Sequence, residues 1–305
     1  MFRSLLVPLD GPARATTIAY TAGLARAFGA SITLLGVKET ARDGHAHPVD
    51  PFEWHVELSR VLARLEHQAE GLRAGGLEVN TAVREGPASE RVPEYAERHG
   101  ADLVVLTRGW KGPDEDSPLR SLLHAGRQSL LVLPPNAPQR GEQASFRRIL
   151  IPLDGSRRAE CVLPIARALQ RGAGSHLLLA HVVEEPRMPG NVPPSAADMR
   201  LVRSVVERNR HAASAVLERA REVLGAGAEL RVLVNPSIPS ALHDLVAGEA
   251  ADLIVLSAHG SAGDLRWGCG SVAHHLIEYG DHPVLLVQDH RVPVELPARR
   301  APVSV

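Results

Sequence analysis

The sequence contains itself twice. Leu6-Val7-Pro8-Leu9-Asp10-Gly11 returns as Leu150-Ile151-Pro152-Leu153-Asp154-Gly155, 144 residues further on. Ala101-Asp102-Leu103-Val104-Val105-Leu106 returns as Ala251-Asp252-Leu253-Ile254-Val255-Leu256 after 150 residues, and Ser129-Leu130-Leu131-Val132-Leu133 as Pro283-Val284-Leu285-Leu286-Val287 after 154. The helical spacing Ala15, Ile18, Ala22, Ala25 is matched by Ala159, Val162, Ala166, Leu169. Four elements recurring in one order mark a tandem duplication, and the growing offset means that the second copy carries small insertions. A chain of 305 residues built this way is expected to fold as two units of about 150 residues each. The expected boundaries are 1–138 and 146–290, separated by a linker rich in proline, glycine and polar residues, with an extended tail over 291–305.

Each copy alternates short apolar runs with amphipathic stretches. In the second copy the runs predict strands over 148–153, 177–183, 230–234, 252–256 and 284–287. They are apolar almost without alternation, which suits strands buried on both faces of a parallel sheet. Trp54, Leu58, Val61, Leu65, Ala69 and Leu72 form one helical stripe, and Val202, Val205, Asn209, Ala212, Val216, Ala220 and Val223 form another. Aromatics are 3% of the chain, so the core must be aliphatic. The expected fold class is α/β: two tandem doubly wound domains, each with a five-stranded parallel sheet flanked by helices. Such sheets take ligands beyond the carboxyl ends of their strands, at the topological switch point.

Several function classes lose support at once. A net charge of −1 makes no electrostatic case for nucleic acid or an anionic membrane as partner. The apolar N-terminal stretch is short and runs into Pro8 and Asp10, so neither a secretion signal nor an anchor is expected. Cys161 and Cys269, the two cysteines, make no disulfide framework and read as reduced thiols in a cytoplasmic protein. Lys38 and Lys111, the two lysines, fit no Gly-x-x-x-x-Gly-Lys phosphate loop. Gly268-Cys269-Gly270-Ser271-Val272-Ala273 matches the dinucleotide pattern but lies after the fourth strand rather than the first. The fifteen histidines show no metal-ligand spacing, and no metal ligand is assigned.

Two segments of the second copy carry chemistry. Asp154 follows the first strand, where a carboxylate can accept hydrogen bonds from a base or ribose, or cap the next helix. After the fourth strand come Ser257-Ala258-His259-Gly260-Ser261 and then Gly268-Cys269-Gly270-Ser271. Glycines let backbone amides approach an anion, and Gly270-Ser271 stands where a helix begins, with its free amides and positive dipole end. Ser271 either caps that helix or bonds a phosphate oxygen. A glycine-rich turn without ligand is the alternative.

The second segment resembles the nucleotide signature of ATP-binding universal stress proteins: Gly, two residues, Gly, nine residues, then Gly followed by Ser or Thr. Gly260, nine residues and Gly270-Ser271 fit, while Ser257 replaces the first glycine. The strand-one pattern Ile151-Pro152-Leu153-Asp154-Gly155-Ser156 and the closing segment from Tyr279 to Val287 match as well. The whole chain therefore resembles a tandem universal stress protein, which implies an adenine nucleotide alpha hydrolase-like, Rossmann-like sheet in each copy. The resemblance implies that Pro152, Asp154 and Val182 meet base and ribose. Ser257, His259, Gly260, Gly270, Ser271 and Val272 would hold ribose and phosphates. The implied ligand is ATP or a related adenine nucleotide, with Mg2+ as its counterion.

The first copy departs from this pattern. Thr107-Arg108-Gly109-Trp110-Lys111-Gly112 is followed by Asp114-Glu115-Asp116, three carboxylates where phosphate would lie, and the Gly-Ser helix start is gone. No nucleotide is expected there. The expected function is a cytoplasmic stress-response protein in which ATP in the second copy acts as a regulatory switch. The two copies would pair as an internal pseudo-dimer, with a homodimer left open. No catalytic residue is named, so hydrolysis is expected to be weak or absent. The alternative is a nucleotide-free interaction scaffold.

Overall fold

The computed structural model describes residues 1–9, 15–38, 51–110, 117–137, 146–186, 195–225, 227–261 and 268–289, with backbone alone at 51–54. Asp10, the acidic run 114–116, the linker from 138, the Pro-rich stretch 187–194, Trp267 and the tail from 290 lie outside them. The first half runs β1 (Ser4–Leu9), α1 (Ala15–Phe28), β2 (Ser31–Lys38), α2 (Pro51–Ala74), β3 (Val79–Glu85), α3 (Ala88–Arg98), β4 (Leu103–Thr107), α4 (Pro118–Ala125) and β5 (Ser129–Leu133). The second half repeats the order. It runs β6 (Arg148–Pro152), a 3-10 turn (Ala159–Val162), α5 (Leu163–Ala173), β7 (His176–Glu184), α6 (Ala196–Leu224), β8 (Glu229–Asn235), α7 (Ile238–Gly248), β9 (Leu253–Ser257), α8 (Ser271–Tyr279) and β10 (Val284–Val287).

The apolar runs alternate between two cores. Leu5, Val7, Leu103, Val105, Ile149, Ile151, Leu253 and Val255 point to a layer that includes α1, α2, α5 and α6. Leu6, Val104, Leu106, Leu150, Ile254 and Leu256 point to the opposite layer with α3, α4, α7 and α8. Both faces of the central strands are covered, so β1, β4, β5, β6, β9 and β10 are apolar at nearly every position between their ends, whereas the edge strands β3 and β8 carry charged residues.

The two sheets are not separate. One ten-stranded sheet runs β3-β2-β1-β4-β5-β10-β9-β6-β7-β8. Its pairs are parallel except β5–β10, which is antiparallel with Leu131 opposite Leu285. Those two leucines are counterparts in the repeat, so the strand meets its own duplicate in register. Each half keeps its first strand between its second and fourth, which sets the switch point between β6 and β9 in the second half.

The repeated Ala-Asp-Leu has a shared cause. Asp102 Oδ2 accepts from the amides of Arg3 at 2.7 Å and Ser4 at 3.1 Å. Asp252 likewise accepts from the amides of Arg147 at 2.8 Å and Arg148 at 3.3 Å. Each aspartate satisfies donors at the start of the first strand and ties it to the fourth.

Two helical expectations are corrected. In α6 the buried face is Val202, Ala213, Leu217, Ala220 and Leu224, whereas Val205 and Val223 are exposed. The expected stripe keeps Val202 and Ala220 but slips by one residue at Ala213, Leu217 and Leu224, because valines flank the leucines and both registers look equally apolar. The helix after β6 also starts later than its spacing predicts: Ala159 and Val162 sit in a 3-10 turn and α5 begins at Leu163. Here Pro164 falls in the first turn, where its missing N–H costs nothing.

Candidate functional site

A cleft of about 320 Å3 opens at the carboxyl ends of β6, β7 and β9, within the usual size range of small-molecule sites. Pro152, Asp154, Val182, Ser257, His259, Gly260, Gly270, Ser271 and Val272, the nine residues singled out from the sequence, all line it. The topology brings them together: loops after β6 and β9 leave the sheet in opposite directions and part at the switch point.

Asp154 does not cap a helix. Its Oδ1 accepts from the Ser156 amide at 2.9 Å and hydroxyl at 2.7 Å, and the Ser156 hydroxyl in turn accepts from the Ala159 amide at 3.1 Å. Its Oδ2 accepts from the Ser261 amide at 2.6 Å, across 107 residues of sequence. Asp154 thus clasps the two loops that form the cleft. A Cβ at residue 260 would overlap Asp154 Oδ2, so the second signature glycine is needed for this close approach. Burial raises the Asp154 pKa, but the bonds from Ser156 and Ser261 outweigh it and hold the carboxyl below the ordinary aspartate value. A depressed folded pKa means that the clasp is fully present above the unfolded-state pKa of about 4 and is lost as pH falls through the folded value. The Ser261 amide resonance is therefore expected to hold constant above about pH 5 and to titrate only below the ordinary aspartate range. In Asp154→Asn that titration should vanish, and an unchanged profile would remove Asp154 from the clasp.

Ser257 folds its side chain back. Its hydroxyl donates to the His259 carbonyl at 2.7 Å and accepts from the His259 amide at 3.3 Å. The residue that replaces the first signature glycine thus spends its polar group on its own turn. His259 is held by a partner that the sequence reading missed: its Nδ1 pairs with Asp289 Oδ1 at 2.8 Å, and Arg158 Nε lies 3.4 Å from Asp289 Oδ2. Asp289 is buried two residues beyond β10, at the same sheet edge, so inspecting the residues that follow the last strand would have found it. His181 and Glu184 at the end of β7 also line the cleft and were missed. Burial pushes the Cys161 thiol up to about 11 and the Cys269 thiol up to about 12. Both stay protonated at neutral pH, so neither is an activated nucleophile.

The α8 N-terminus faces the cleft uncapped. Gly270 is its N-cap and offers no side-chain bond. Ser271 is the first helical residue, so it is not the cap. The first intrahelical bond runs from the His274 amide to the Gly270 carbonyl at 2.9 Å, which leaves the amides of Ser271, Val272 and Ala273 outside the helical ladder. Ile238, Leu242 and Ala180 give the cleft an apolar wall. The arrangement offers an apolar slot, a carboxylate and three outward amides with a positive dipole end, which is the complement of a planar base, a polyol and an anion.

The sequence pattern of the universal stress protein family matches residues 1–131 and again residues 145–288. The chain belongs to the universal stress protein family. A universal stress protein of Thermus aquaticus is 27% identical over 143 residues, covering 47% of this chain and 99% of its own. Among solved structures, a universal stress protein from Archaeoglobus fulgidus shares the fold at a TM-score of 0.63 with 17% identity, over 94% of this chain and 96% of that one. A putative universal stress protein from Pseudomonas aeruginosa does so at 0.63 with 16% identity, over 94% and 93%.

The first half of this universal stress protein differs where the second offers amides. Pro118 stands at the first position of α4 and has no N–H, and the Ser117 side chain accepts from the Arg120 amide at 3.3 Å. One donor is absent and another already used, so this helix start presents no cradle to an anion. After β3 the first half turns through Gly86-Pro87, while the second uses Asn235, whose Oδ1 accepts from the Ser237 amide at 2.9 Å. Among the described residues no helix is long and apolar enough to cross a membrane.

Proposed function

We propose that the second half of this universal stress protein binds ATP or a related adenine nucleotide, with Mg2+ as its counterion, and that the chain works in the cytoplasm as a nucleotide-dependent stress-response switch. The observation that carries this reading is the convergence of Asp154, the Gly260 turn and the uncapped α8 N-terminus on one cleft. In this reading the base lies against Pro152 and Val182, with Asp154 toward the ribose. The phosphates run past Ser257, His259 and Gly260 to the amides that follow Gly270. Units 1–138 and 146–290 form an internal pseudo-dimer through β5 and β10, and the first unit, with its closed α4 start, is a structural partner without nucleotide. The ligand acts by binding one conformation better than another, not by turnover.

Calorimetric titration of the full chain with Mg-ATP tests the reading. Binding of about one ATP per chain is expected, with a raised melting temperature at saturation. No heat and no thermal shift at millimolar ATP would leave the ligand-free scaffold as the better account. That alternative draws on the closed helix start of the first half.

A further inference from the structure

The helix that carries the proposed phosphate site is gripped at both ends by the other half of the chain. At its C-terminal end, Arg108 donates from Nη1 to the Ile277 carbonyl at 2.9 Å and the Gly280 carbonyl at 2.7 Å. Just before its N-terminal end, Gly268 lies against the backbone of α4. A Cβ there would overlap the Leu123 carbonyl oxygen and fall 2.8 Å from the His124 amide nitrogen. Arg108 follows β4 directly and stands where the second copy has Ala258, so at this position the first half carries an arginine and the second does not.

Three physical effects make this more than packing. The last carbonyls of a helix have no helical partner, and Arg108 satisfies one of them, Ile277, together with the cap carbonyl of Gly280. A cation there also complements the negative end of the α8 dipole, whose positive end faces the cleft. The helix has nine residues, so a grip on its last turn and a seat under its entry loop fix its axis against β4 and α4. The aim of the Ser271, Val272 and Ala273 amides follows from that axis, and a displacement of about 1 Å matters for a positioned ligand.

We propose that Arg108 and the seat of Gly268 on α4 are positioning elements for the phosphate site of the second half, so that nucleotide affinity there depends on the first half. This rests on the nucleotide reading given above. The first half supplies no cradle of its own but acts as the frame of its neighbour's. Binding and framing are reciprocal: a nucleotide that needs the framed helix must also protect that frame.

The test uses the full chain with Arg108→Met and Arg108→Lys, read by amide hydrogen exchange without ligand and by calorimetry with Mg-ATP. In the Met variant, exchange over 271–280 is expected to quicken at least about tenfold while β6 and β7 stay as in the parent, and ATP affinity is expected to fall by at least about tenfold. The Lys variant should recover part of both, since it restores the charge at the α8 terminus but not the planar guanidinium. A melting temperature lowered with parental affinity would make Arg108 merely structural and overturn the proposal, as would parental exchange across α8. If the parent chain takes up no ATP, the nucleotide reading fails by itself. The exchange data then decide the grip alone, with quickened α8 amides sustaining it and unchanged ones ending it.

Discussion

Replacing Gly270 with aspartate is expected to abolish nucleotide binding while leaving the fold intact. Gly270 has φ −64 and ψ 155, a conformation open to any residue, and a Cβ there would sit 3.6 Å from the Ala258 carbonyl oxygen in ordinary contact. Aspartate is among the best N-cap residues, better than glycine by a few tenths of a kcal/mol, so the α8 start should be stabilised if anything. The carboxylate would accept from the same amides that a phosphate would use and add a like charge beside it. Two unit charges about 4 Å apart repel by about 4 kcal/mol at an effective dielectric near 20, so a loss of at least about a hundredfold in affinity is expected. The pairing of outcomes carries the weight: lost heat with an unchanged or raised melting temperature assigns the loss to the site. Retained binding would move the phosphates away from α8, and a melting temperature lower by more than about 5 °C would reject the capping argument.

Two glycine-to-alanine changes are expected to shift stability in opposite directions. Helix propensity alone predicts that alanine stabilises a helical glycine by up to about 1 kcal/mol. Gly71 in α2 has nothing within 4 Å of the position a Cβ would take, so Gly71→Ala should raise stability by about 0.5–1 kcal/mol. Gly172 in α5 touches α1 across the two halves. A Cβ there would overlap the Ala27 carbonyl oxygen and lie 2.8 Å from Ala27 Cα. Those are backbone atoms that cannot rotate aside, so α1 and α5 must separate, and overpacking of this kind costs about 1–3 kcal/mol. The steric effect exceeds the propensity gain, and Gly172→Ala is expected to lose about 1–2 kcal/mol in urea unfolding. A gain at position 172 equal to that at 71 would show that the two halves meet more loosely than this contact implies.

Much of the architecture was legible because burial leaves a periodic trace. Strands covered on both faces must be apolar at nearly every position, which made the runs over 284–287 and within 148–153 readable. Of the α2 stripe, Leu65, Ala69 and Leu72 are buried and Leu58 and Val61 half-buried, while the Trp54 side chain lies outside the described residues. In α6 the trace failed: Val205 and Val223 are exposed while Leu217 and Leu224 are buried, and hydrophobicity alone does not choose between adjacent apolar faces.

By itself the sequence determined the duplication, the two-sided parallel strands and the loops at their carboxyl ends, since each is written in local order and spacing. That Asp154 clasps Ser261, that Asp289 orients His259, that β5 and β10 fuse two sheets into one and that Arg108 holds the end of α8 were decided by the tertiary structure alone. Arg108 and Ile277 lie 169 residues apart. A contact at such separation depends on which surfaces the fold brings within hydrogen-bonding reach, and local periodicity carries no record of it.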